Sequence, residues 1–168
     1  MFLVGFMGAG KSTVAQVVAA ALQRPCVDLD SQIEAGSHRP VSQIFAEDGE
    51  EGFRDQESQA LTMLEGQTPA VVACGGGVVL RTQNRALLKR LGTVVYLVVT
   101  AEEAVARVGD SATRPLLAGS AGSLAATSLL AAREGLYRSV ADVVVDTVGR
   151  TSEQVAAQVI SELDEVEA

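Results

Sequence analysis

The chain has 168 residues, a length that suits one compact domain and has no room for two of ordinary size. Hydrophobic residues make up 48% and charged residues 20% of it, a balance that excludes a disordered chain. The formal net charge is −8 and only 4% of residues are aromatic, so neither a basic surface nor an aromatic platform for nucleic acid is expected.

Cysteine content and hydropathy argue against a disulfide-bonded, zinc-binding or membrane-spanning protein. Two cysteines without CxxC spacing and a single histidine are too few for a disulfide framework or a zinc site, and we expect Cys26 and Cys74 to be small buried residues. No apolar run approaches the roughly 18 residues of a membrane span, and no signal peptide is recognisable. We therefore expect a cytoplasmic protein with no membrane or nucleic-acid partner; a monomer is also expected, although the sequence does not give the oligomeric state.

The first half of the chain alternates between apolar runs and helical periodicity. Phe2–Val4 predicts a strand, and apolar residues spaced three or four apart predict a helix from Lys11. Cys26–Asp30 predicts a second strand that ends in carboxylates. A Gly-Ser-His-Arg-Pro break then separates two short helical pieces within residues 31–48, and a further helix is expected over Gly49–Leu64.

The second half continues this alternation. Apolar runs rich in β-branched residues predict three more strands, at Ala70–Cys74, Thr93–Val99 and Val143–Val145. Helical patterns lie between and after them, at Asn84–Leu91, Glu102–Val108, Leu124–Val140 and Ser152–Val166. Apolar strands that alternate with helices predict a three-layer α/β/α fold with a five-stranded parallel sheet, in one domain that spans residues 1–168.

The turn after the first predicted strand matches a phosphate-binding motif in full. Residues 5–12, Gly-Phe-Met-Gly-Ala-Gly-Lys-Ser, fit GxxxxGK[ST] between a strand and a helix, which is the context this motif requires. Backbone N–H groups and the helix N-terminus would hold phosphate oxygens. Lys11 would reach the β- and γ-phosphates, and the Ser12 hydroxyl would bind Mg²⁺. The alternative is a glycine-rich turn with a chance Lys-Ser pair.

Two aspartates end the second predicted strand. Alternate residues of a strand point the same way, so Asp28 and Asp30 would face one site at the carboxyl edge of the sheet, where ligands bind in such folds. One would hold Mg²⁺ through water, and the other would orient an attacking hydroxyl and accept its proton. The alternative is that they cap the helix that begins near Ser31.

A second polar cluster lies on the helix predicted after Gly49. Arg54 and Glu57 are three residues apart, so Arg54 would grip a planar carboxylate while Glu57 holds it in place. The alternative is a solvated helix face with a weak ion pair. Phe45 and Phe53 would wall such a pocket, although packing in the core explains them equally well.

Two loops and one helix complete the candidate site. Gly75-Gly76-Gly77 suits a place where a ligand or another backbone approaches closely. Arg114-Pro115-Leu116-Leu117 opens a stretch rich in Gly, Ser and Ala, which predicts a lid that brings an arginine to a transferring phosphoryl group; a plain surface loop is the alternative. Arg133 and Arg138 lie on the next predicted helix, and each could face the site or the solvent.

Together these motifs resemble the shikimate kinase family, over essentially the whole chain from Phe2 to about Leu163. A phosphate loop alone is shared by many nucleotide-binding proteins. The specific signal is the set of motifs that accompanies it: Asp28-Leu29-Asp30, Gly49-Glu50, Phe53-Arg54, Glu57, Gly75-Gly76-Gly77, Arg114-Pro115-Leu116-Leu117, and Arg133 with Tyr137. The resemblance implies a P-loop kinase of the nucleoside-monophosphate-kinase type, with a substrate-binding region at about 31–64 and a mobile lid at about 111–124.

The resemblance also implies a reaction and roles for residues. The γ-phosphoryl group of ATP, with Mg²⁺, would pass to the 3-hydroxyl of shikimate, a step toward chorismate and the aromatic amino acids. The catalytic residues would be Lys11, Asp30 and Arg114. The ATP site would comprise Gly8, Ala9, Gly10, Lys11, Ser12, Thr13, Arg107, Arg114 and Arg150. The metal would be held by Ser12 and, through water, by Asp28. The shikimate site would comprise Asp30, Phe45, Phe53, Arg54, Glu57, Gly75, Gly76, Gly77 and Arg133.

Within those sets, Arg54 and Arg133 would grip the shikimate carboxylate, and Arg107 and Arg150 would flank the adenine. Two features depart from the family pattern. Residues 148–152 lack a proline that is often present there, and residues 118–132 carry no charge, whereas relatives usually have several. Nucleotide preference and lid closure are therefore left open.

Two other interpretations remain. A different small-molecule kinase, such as a gluconate kinase, would share the phosphate loop but not the accompanying motifs. A non-catalytic nucleotide-binding protein would be expected to lack at least one of Lys11, Asp30, Arg54 and Arg133, and all four are present.

Overall fold

The computed structural model describes residues 1–108 and 122–166, and within these ranges strands alternate with helices. The strands are β1 (Phe2–Val4), β2 (Cys26–Asp28), β3 (Val71–Ala73), β4 (Val94–Val98) and β5 (Val143–Asp146). The α-helices are α1 (Lys11–Ala21), α2 (Leu29–Ser37), α3 (Val41–Thr62), α4 (Thr82–Leu91), α5 (Ala101–Val108), α6 (Gly122–Val140) and α7 (Ser152–Val166). A short 3₁₀ helix, Val78–Leu80, lies between β3 and α4.

The five strands form one parallel sheet in the order β2-β3-β1-β4-β5. β1 is central, since Phe2 pairs with Val72 of β3 on one side and with Val94 of β4 on the other. Helices cover both faces of the sheet, which confirms the predicted three-layer α/β/α fold. Because the strands are parallel, the segments that follow β1, β2 and β3 meet at one edge, where ligands bind in such folds.

The position of each strand in the sheet determines how many of its residues are buried in the core. β1 and β3 are buried along their whole length, as expected for strands covered on both faces. In β5, at one edge, buried Val143 and Val145 alternate with exposed residues. Cys26 opens β2, the opposite edge strand, and is exposed, so the expectation of burial is wrong for this cysteine; Cys74 is buried.

The end of β2 differs from the sequence prediction. The strand stops at Asp28, whose carboxylate accepts a hydrogen bond from the backbone N–H of Ser31 at 3.1 Å and so caps α2. The prediction that Asp30 lies on the strand is wrong, because the cap starts the helix at Leu29 and puts Asp30 in its first turn. The capping alternative is therefore correct for Asp28.

The region predicted to bind the substrate, about residues 31–64, consists of α2 and α3. These helices share a small apolar cluster formed by Ile33, Ile44 and Phe53. α3 runs through a kink at Gly49, where φ is 73° and ψ is −177°. Since Gly49 is not helical, α3 consists of two helical segments that meet there, which agrees with the helix start predicted at Gly49, and its positive φ favours glycine.

The predicted lid, with Arg114, lies outside the described residues except for the first residues of α6. Within residues 1–108 and 122–166, no helix has both the length and the apolar character that crossing a membrane requires. The assignment of the whole chain to a single domain stays a prediction.

Candidate active site

The phosphate-binding loop joins β1 to α1 at the middle of the sheet edge. Gly8 and Gly10 have φ of 77° and 83°, and a Cβ on Gly8 would lie 2.7 Å from the carbonyl oxygen of Ala104. The Lys11 ammonium donates to the carbonyl of Phe6 at 2.9 Å. No described side chain caps the N-terminus of α1, so its backbone N–H groups suit a bound anion.

Ser12 and Asp28 form a pair of oxygen donors beside this loop. The Ser12 hydroxyl donates to Oδ2 of Asp28 at 2.6 Å, while Oδ1 of Asp28 caps α2. Mg²⁺ prefers hard oxygen ligands and is usually held by one or two carboxylates together with substrate phosphates. The residues present therefore fit a magnesium ion that bridges the protein and a nucleotide.

One cleft of about 180 Å³ brings most of the predicted residues together. It is lined by Gly8, Gly10, Lys11, Ser12, Thr13, Asp28, Asp30, Cys74, Gly75 and Gly76. Asp30 thus lies in the same cleft as the phosphate loop, although it reaches it from a helix and not from a strand. A larger cavity of about 530 Å³ lies near the amino-terminal ends of the strands, beside Phe2 and Pro25. No predicted site residue lines it.

Arg54 and Glu57 form a buried ion pair on α3. The Arg54 guanidinium donates to Oε2 of Glu57 at 2.8 Å, and the two residues are only 7% and 0% exposed. The guanidinium carbon lies 5.2 Å from the ring centre of Phe53 and 6.0 Å from that of Phe45. The alternative of a solvated helix face is wrong; both rings lie beside the Arg54 guanidinium and also pack in the apolar cluster of α2 and α3.

Burial gives Glu57 an unusual protonation equilibrium. Its pKa is raised to about 7, chiefly because burial disfavours the charged carboxylate, which Arg54 offsets only in part. Nearby Asp30 raises the pKa further, whereas Arg133 lowers it. Oε1 of Glu57 is buried and accepts no hydrogen bond from the residues that the structure describes. Burial therefore makes the Glu57 carboxyl a weaker acid than an exposed glutamate.

Polar side chains lie directly over two of the three glycines, Gly75 and Gly77, whereas a Cβ on Gly76 would make only ordinary contacts of 3.6 Å or more. A Cβ on Gly75 would lie 2.6 Å from Oε1 of Glu57 and 2.8 Å from Oδ1 of Asp30. A Cβ on Gly77 would lie 2.2 Å from the guanidinium carbon of Arg54. The sequence predicted close approach of a ligand or another backbone, whereas in the structure the groups that approach Gly75 and Gly77 are polar side chains of α2 and α3.

The two arginines of α6 have different surroundings. Arg133 is 7% exposed and close enough to Glu57 to lower the pKa of that carboxyl. Arg138 is exposed, pairs with Glu134 at 2.8 Å and covers the ring of Tyr96. Arg133 therefore faces the site and Arg138 faces the solvent. The hydroxyl of Tyr137, one turn after Arg133, donates to the carbonyl of Gly76.

Of the two residues predicted around adenine, Arg107 contacts the loop after β5 and Arg150 belongs to it. Arg107 of α5 donates to the carbonyl of Gly8 at 3.2 Å and to that of Thr147 at 2.7 Å. Arg150 lies in the loop itself, is exposed and donates to Gln158.

Thr147 and Glu103, both bonded to Arg107, were not predicted as site residues. The i, i+4 spacing of Glu103 and Arg107 was the signal available in the sequence.

Comparison with known proteins agrees with this geometry. The sequence model of the shikimate kinase family matches residues 7–164. A shikimate kinase of Cupriavidus pinatubonensis (strain JMP 134 / LMG 1197) is 42% identical over 164 residues, which cover 98% of this chain and 85% of that protein. A shikimate kinase of Pseudomonas syringae pv. tomato (strain ATCC BAA-871 / DC3000) is 39% identical over 166 residues, 99% of this chain and 96% of that protein.

Among solved structures, a shikimate kinase from Acinetobacter baumannii in complex with shikimate is similar to this fold with a TM-score of 0.94. It is 35% identical in sequence, and the match covers 98% of this chain and 92% of that one. The family match spans nearly the whole chain, and residues 7–164 include Lys11, Asp28, Asp30, Arg54 and Arg133. The chain therefore belongs to the shikimate kinase family.

Proposed function

We propose that this protein transfers the γ-phosphoryl group of ATP to the 3-hydroxyl of shikimate and releases ADP and shikimate 3-phosphate. One observation carries the proposal: a phosphate-binding loop and the carboxylate of Asp30 share a single cleft, beside which two buried arginines lie. The relatives that bear the name shikimate kinase, one of them solved in complex with shikimate, support this choice of acceptor.

The carboxylate of shikimate would bind Arg54 and Arg133. A guanidinium binds a carboxylate best through two parallel hydrogen bonds, and in a buried setting such bonds are strong. Glu57 accepts from one terminal nitrogen of Arg54 at 2.8 Å, and the exposed Glu50 accepts from the other at 3.5 Å, so the substrate carboxylate would replace only the longer contact. Phe45, Phe53 and the glycine run would exclude water around this contact, and the backbone N–H of Gly76 would donate to the substrate.

Asp30 would orient the ring hydroxyls and serve as the base. The 3-hydroxyl oxygen attacks the γ-phosphorus as its proton passes to the Asp30 carboxylate, and the bond to the β-phosphate oxygen breaks to release ADP. The substrate oxygen and the γ-phosphate meet in one cleft, so most of the acceleration comes from alignment and charge neutralisation.

The nucleotide would lie along the P-loop. Backbone N–H groups of residues 8–13 would hold its phosphates, and the Lys11 ammonium would neutralise charge that builds up between the β- and γ-phosphates. Arg107 and Arg150 would flank the adenine. Arg114, which lies outside the described residues, is proposed as the lid arginine near the transferring group.

Mg²⁺ would be held by the Ser12 hydroxyl and, through water, by Asp28, and when bound it neutralises phosphate charge. The carboxylate of Asp28 also fixes the start of α2, so it orients Asp30 two residues later. We further propose that the protein acts as a cytoplasmic monomer without nucleic-acid or membrane partners.

A coupled assay of ADP release tests the proposed reaction. The purified protein is given ATP and Mg²⁺ with shikimate, with gluconate, with nucleoside monophosphates, or with no acceptor. We expect release that depends on shikimate alone. ADP release that requires another acceptor would overturn the roles of Arg54 and Arg133. If no acceptor gives rise to ADP release, the proposed activity is wrong.

The two lysines of the chain offer a matched control. Lys11→Met should lower turnover by about 100-fold or more, because a preorganised charge at the transferring group is lost. Lys89 is exposed on the last turn of α4, away from the cleft, and Lys89→Met should leave turnover unchanged. Equal turnover in the two variants would contradict the assigned role of the P-loop.

A further inference from the structure

Helix α5 packs directly on the phosphate-binding loop. The carbonyl oxygen and Cα of Ala104 lie so close to Gly8 that no side chain fits between them. One turn later, Arg107 donates to the carbonyl of Gly8 at 3.2 Å. A side chain of α5 is thus hydrogen-bonded to the backbone that is expected to hold phosphate.

The same guanidinium reaches the loop that follows β5. It donates to the hydroxyl of Thr147 at 3.1 Å and to its carbonyl at 2.7 Å. Thr147 is 1% exposed, and both its N–H and its hydroxyl donate to the carbonyl of Val98 at the end of β4. Arg107 therefore joins the P-loop to a residue that the sheet itself holds firmly.

Glu103 completes this arrangement. Its Oε1 accepts from Arg107 at 2.7 Å and from the backbone N–H of Gly149 at 3.0 Å. Gly149 has φ of 66° and lies in an exposed turn that two other hydrogen bonds also hold, from the Val148 N–H to Oδ1 of Asp146 at 2.9 Å and from the Arg150 N–H to the carbonyl of Thr147 at 3.3 Å. One carboxylate oxygen thus joins the Arg107 guanidinium to the backbone of the turn after β5.

The other oxygen of Glu103 argues for a role beyond folding. Oε2 is buried and accepts no hydrogen bond from any residue within 1–108 and 122–166. A buried acceptor without a partner is destabilising, so this carboxylate is not optimised for stability alone. Local features that lower stability, such as this unpartnered oxygen, are expected where a side chain is held in place for function.

We infer that Glu103 is a positioning residue for the nucleotide. It acts through Arg107 and Gly149 to hold the P-loop and the turn after β5 at a fixed separation, so that phosphates and base are bound together. The inference rests on the proposed binding of ATP at the P-loop. It does not depend on which acceptor takes the phosphoryl group.

The test measures ADP binding by calorimetry in Glu103→Ala, Glu103→Gln and Glu102→Ala, next to the unaltered protein. Hydrogen bonds to charged groups contribute roughly 1.5–3 kcal/mol, so Glu103→Ala should weaken ADP binding by about 10- to 100-fold. Glu103→Gln keeps an acceptor for Gly149 but loses the charge that orients Arg107, and we expect a smaller loss. Glu102 is exposed on the same helix turn and serves as the matched control, with unchanged binding.

Kinetics separate positioning from a general defect. In the ADP-release assay, Glu103→Ala should raise the KM for ATP by a similar factor and leave the KM for shikimate within about twofold. The inference would be overturned if the KM values for ATP and shikimate rose equally. It would also be overturned if Glu103→Gln and Glu103→Ala bound ADP as tightly as the unaltered protein. If Glu103→Ala does not fold, the affinity of Glu103→Gln for ADP decides the matter alone.

Failure of the proposed function would look different from failure of this inference. If the unaltered protein binds ADP but does not phosphorylate shikimate, the calorimetric comparison still tests Glu103. If it phosphorylates shikimate and the Glu103 variants bind ADP as tightly as it does, only the positioning role is wrong.

Discussion

Replacing Gly77 with alanine should weaken shikimate binding, because the new methyl group would displace the Arg54 guanidinium. Gly77 has φ of −102° and ψ of −1°, which alanine adopts without strain, so the backbone should not change. The new Cβ would lie 2.2 Å from the guanidinium carbon of Arg54 and 2.2–2.3 Å from its two terminal nitrogens. The guanidinium must therefore move by about 1 Å or more to reach ordinary contact distance.

The size of the effect follows from where Arg54 can go. Its guanidinium is buried, paired with Glu57 and enclosed by the rings of Phe45 and Phe53, so it cannot shift without changing its direction. A misplacement of about 1 Å can lower the rate by about 100-fold, equivalent to roughly 2.7 kcal/mol. We expect the KM for shikimate to rise by about that factor while the KM for ATP stays within about twofold.

The assay is steady-state ADP release with each substrate varied in turn. Gly135→Ala is the matched control, because Gly135 lies on α6, away from the cleft, and a Cβ added there would have no atom within 4 Å. If Gly77→Ala leaves the KM for shikimate unchanged, or raises that for ATP as strongly, then Arg54 does not hold the substrate in the way proposed.

Three further outcomes are expected. Asp30→Asn should lower kcat by at least about 100-fold while ADP binds normally in calorimetry, because only the proton acceptor is lost; a kcat near that of the unaltered protein would remove Asp30 from the mechanism. The pKa of Glu57, about 7 against an ordinary 4.5, means that the folded state binds more protons between these values, so its favourable contribution is complete below about pH 4.5 and lost as the pH rises through 7. Relative to Glu57→Gln, the unaltered protein should thus lose about 2 kcal/mol of unfolding free energy between pH 5 and 8 in urea titrations, and a difference independent of pH would refute this. Gly135→Ala should raise the unfolding free energy by about 0.5–1 kcal/mol, since it removes a glycine from an open helix position, and a lower thermal midpoint would contradict that.

The parts of the site that depend on local sequence were predictable. The P-loop is defined by eight consecutive residues between a strand and a helix, and its glycines, Lys11 and Ser12 lie where that pattern predicts. The strands could be predicted for a similar reason, because burial on both faces leaves a continuous apolar run in the sequence.

Features that depend on a single hydrogen bond or on a distant contact were not predictable. Whether Asp30 lies on a strand or a helix is decided by the cap between Asp28 and Ser31; the sequence offered this cap as an alternative but did not decide between it and a longer strand. The link from Glu103 to Gly149 spans 46 residues and exists only because β4 and β5 are neighbours. The burial of Arg133 but not Arg138 likewise depends on how α6 packs.

The most direct test of the proposed reaction is identification of its product. The purified protein is incubated with ATP, Mg²⁺ and shikimate, and the phosphorylated carbon is identified by proton–phosphorus NMR correlation. The proposed geometry predicts one product, in which phosphorus couples to the hydrogen on carbon 3 of the ring. Phosphorylation at another hydroxyl, or ADP without a phosphorylated ring, would contradict the assignment of Asp30, Arg54 and Arg133 to shikimate.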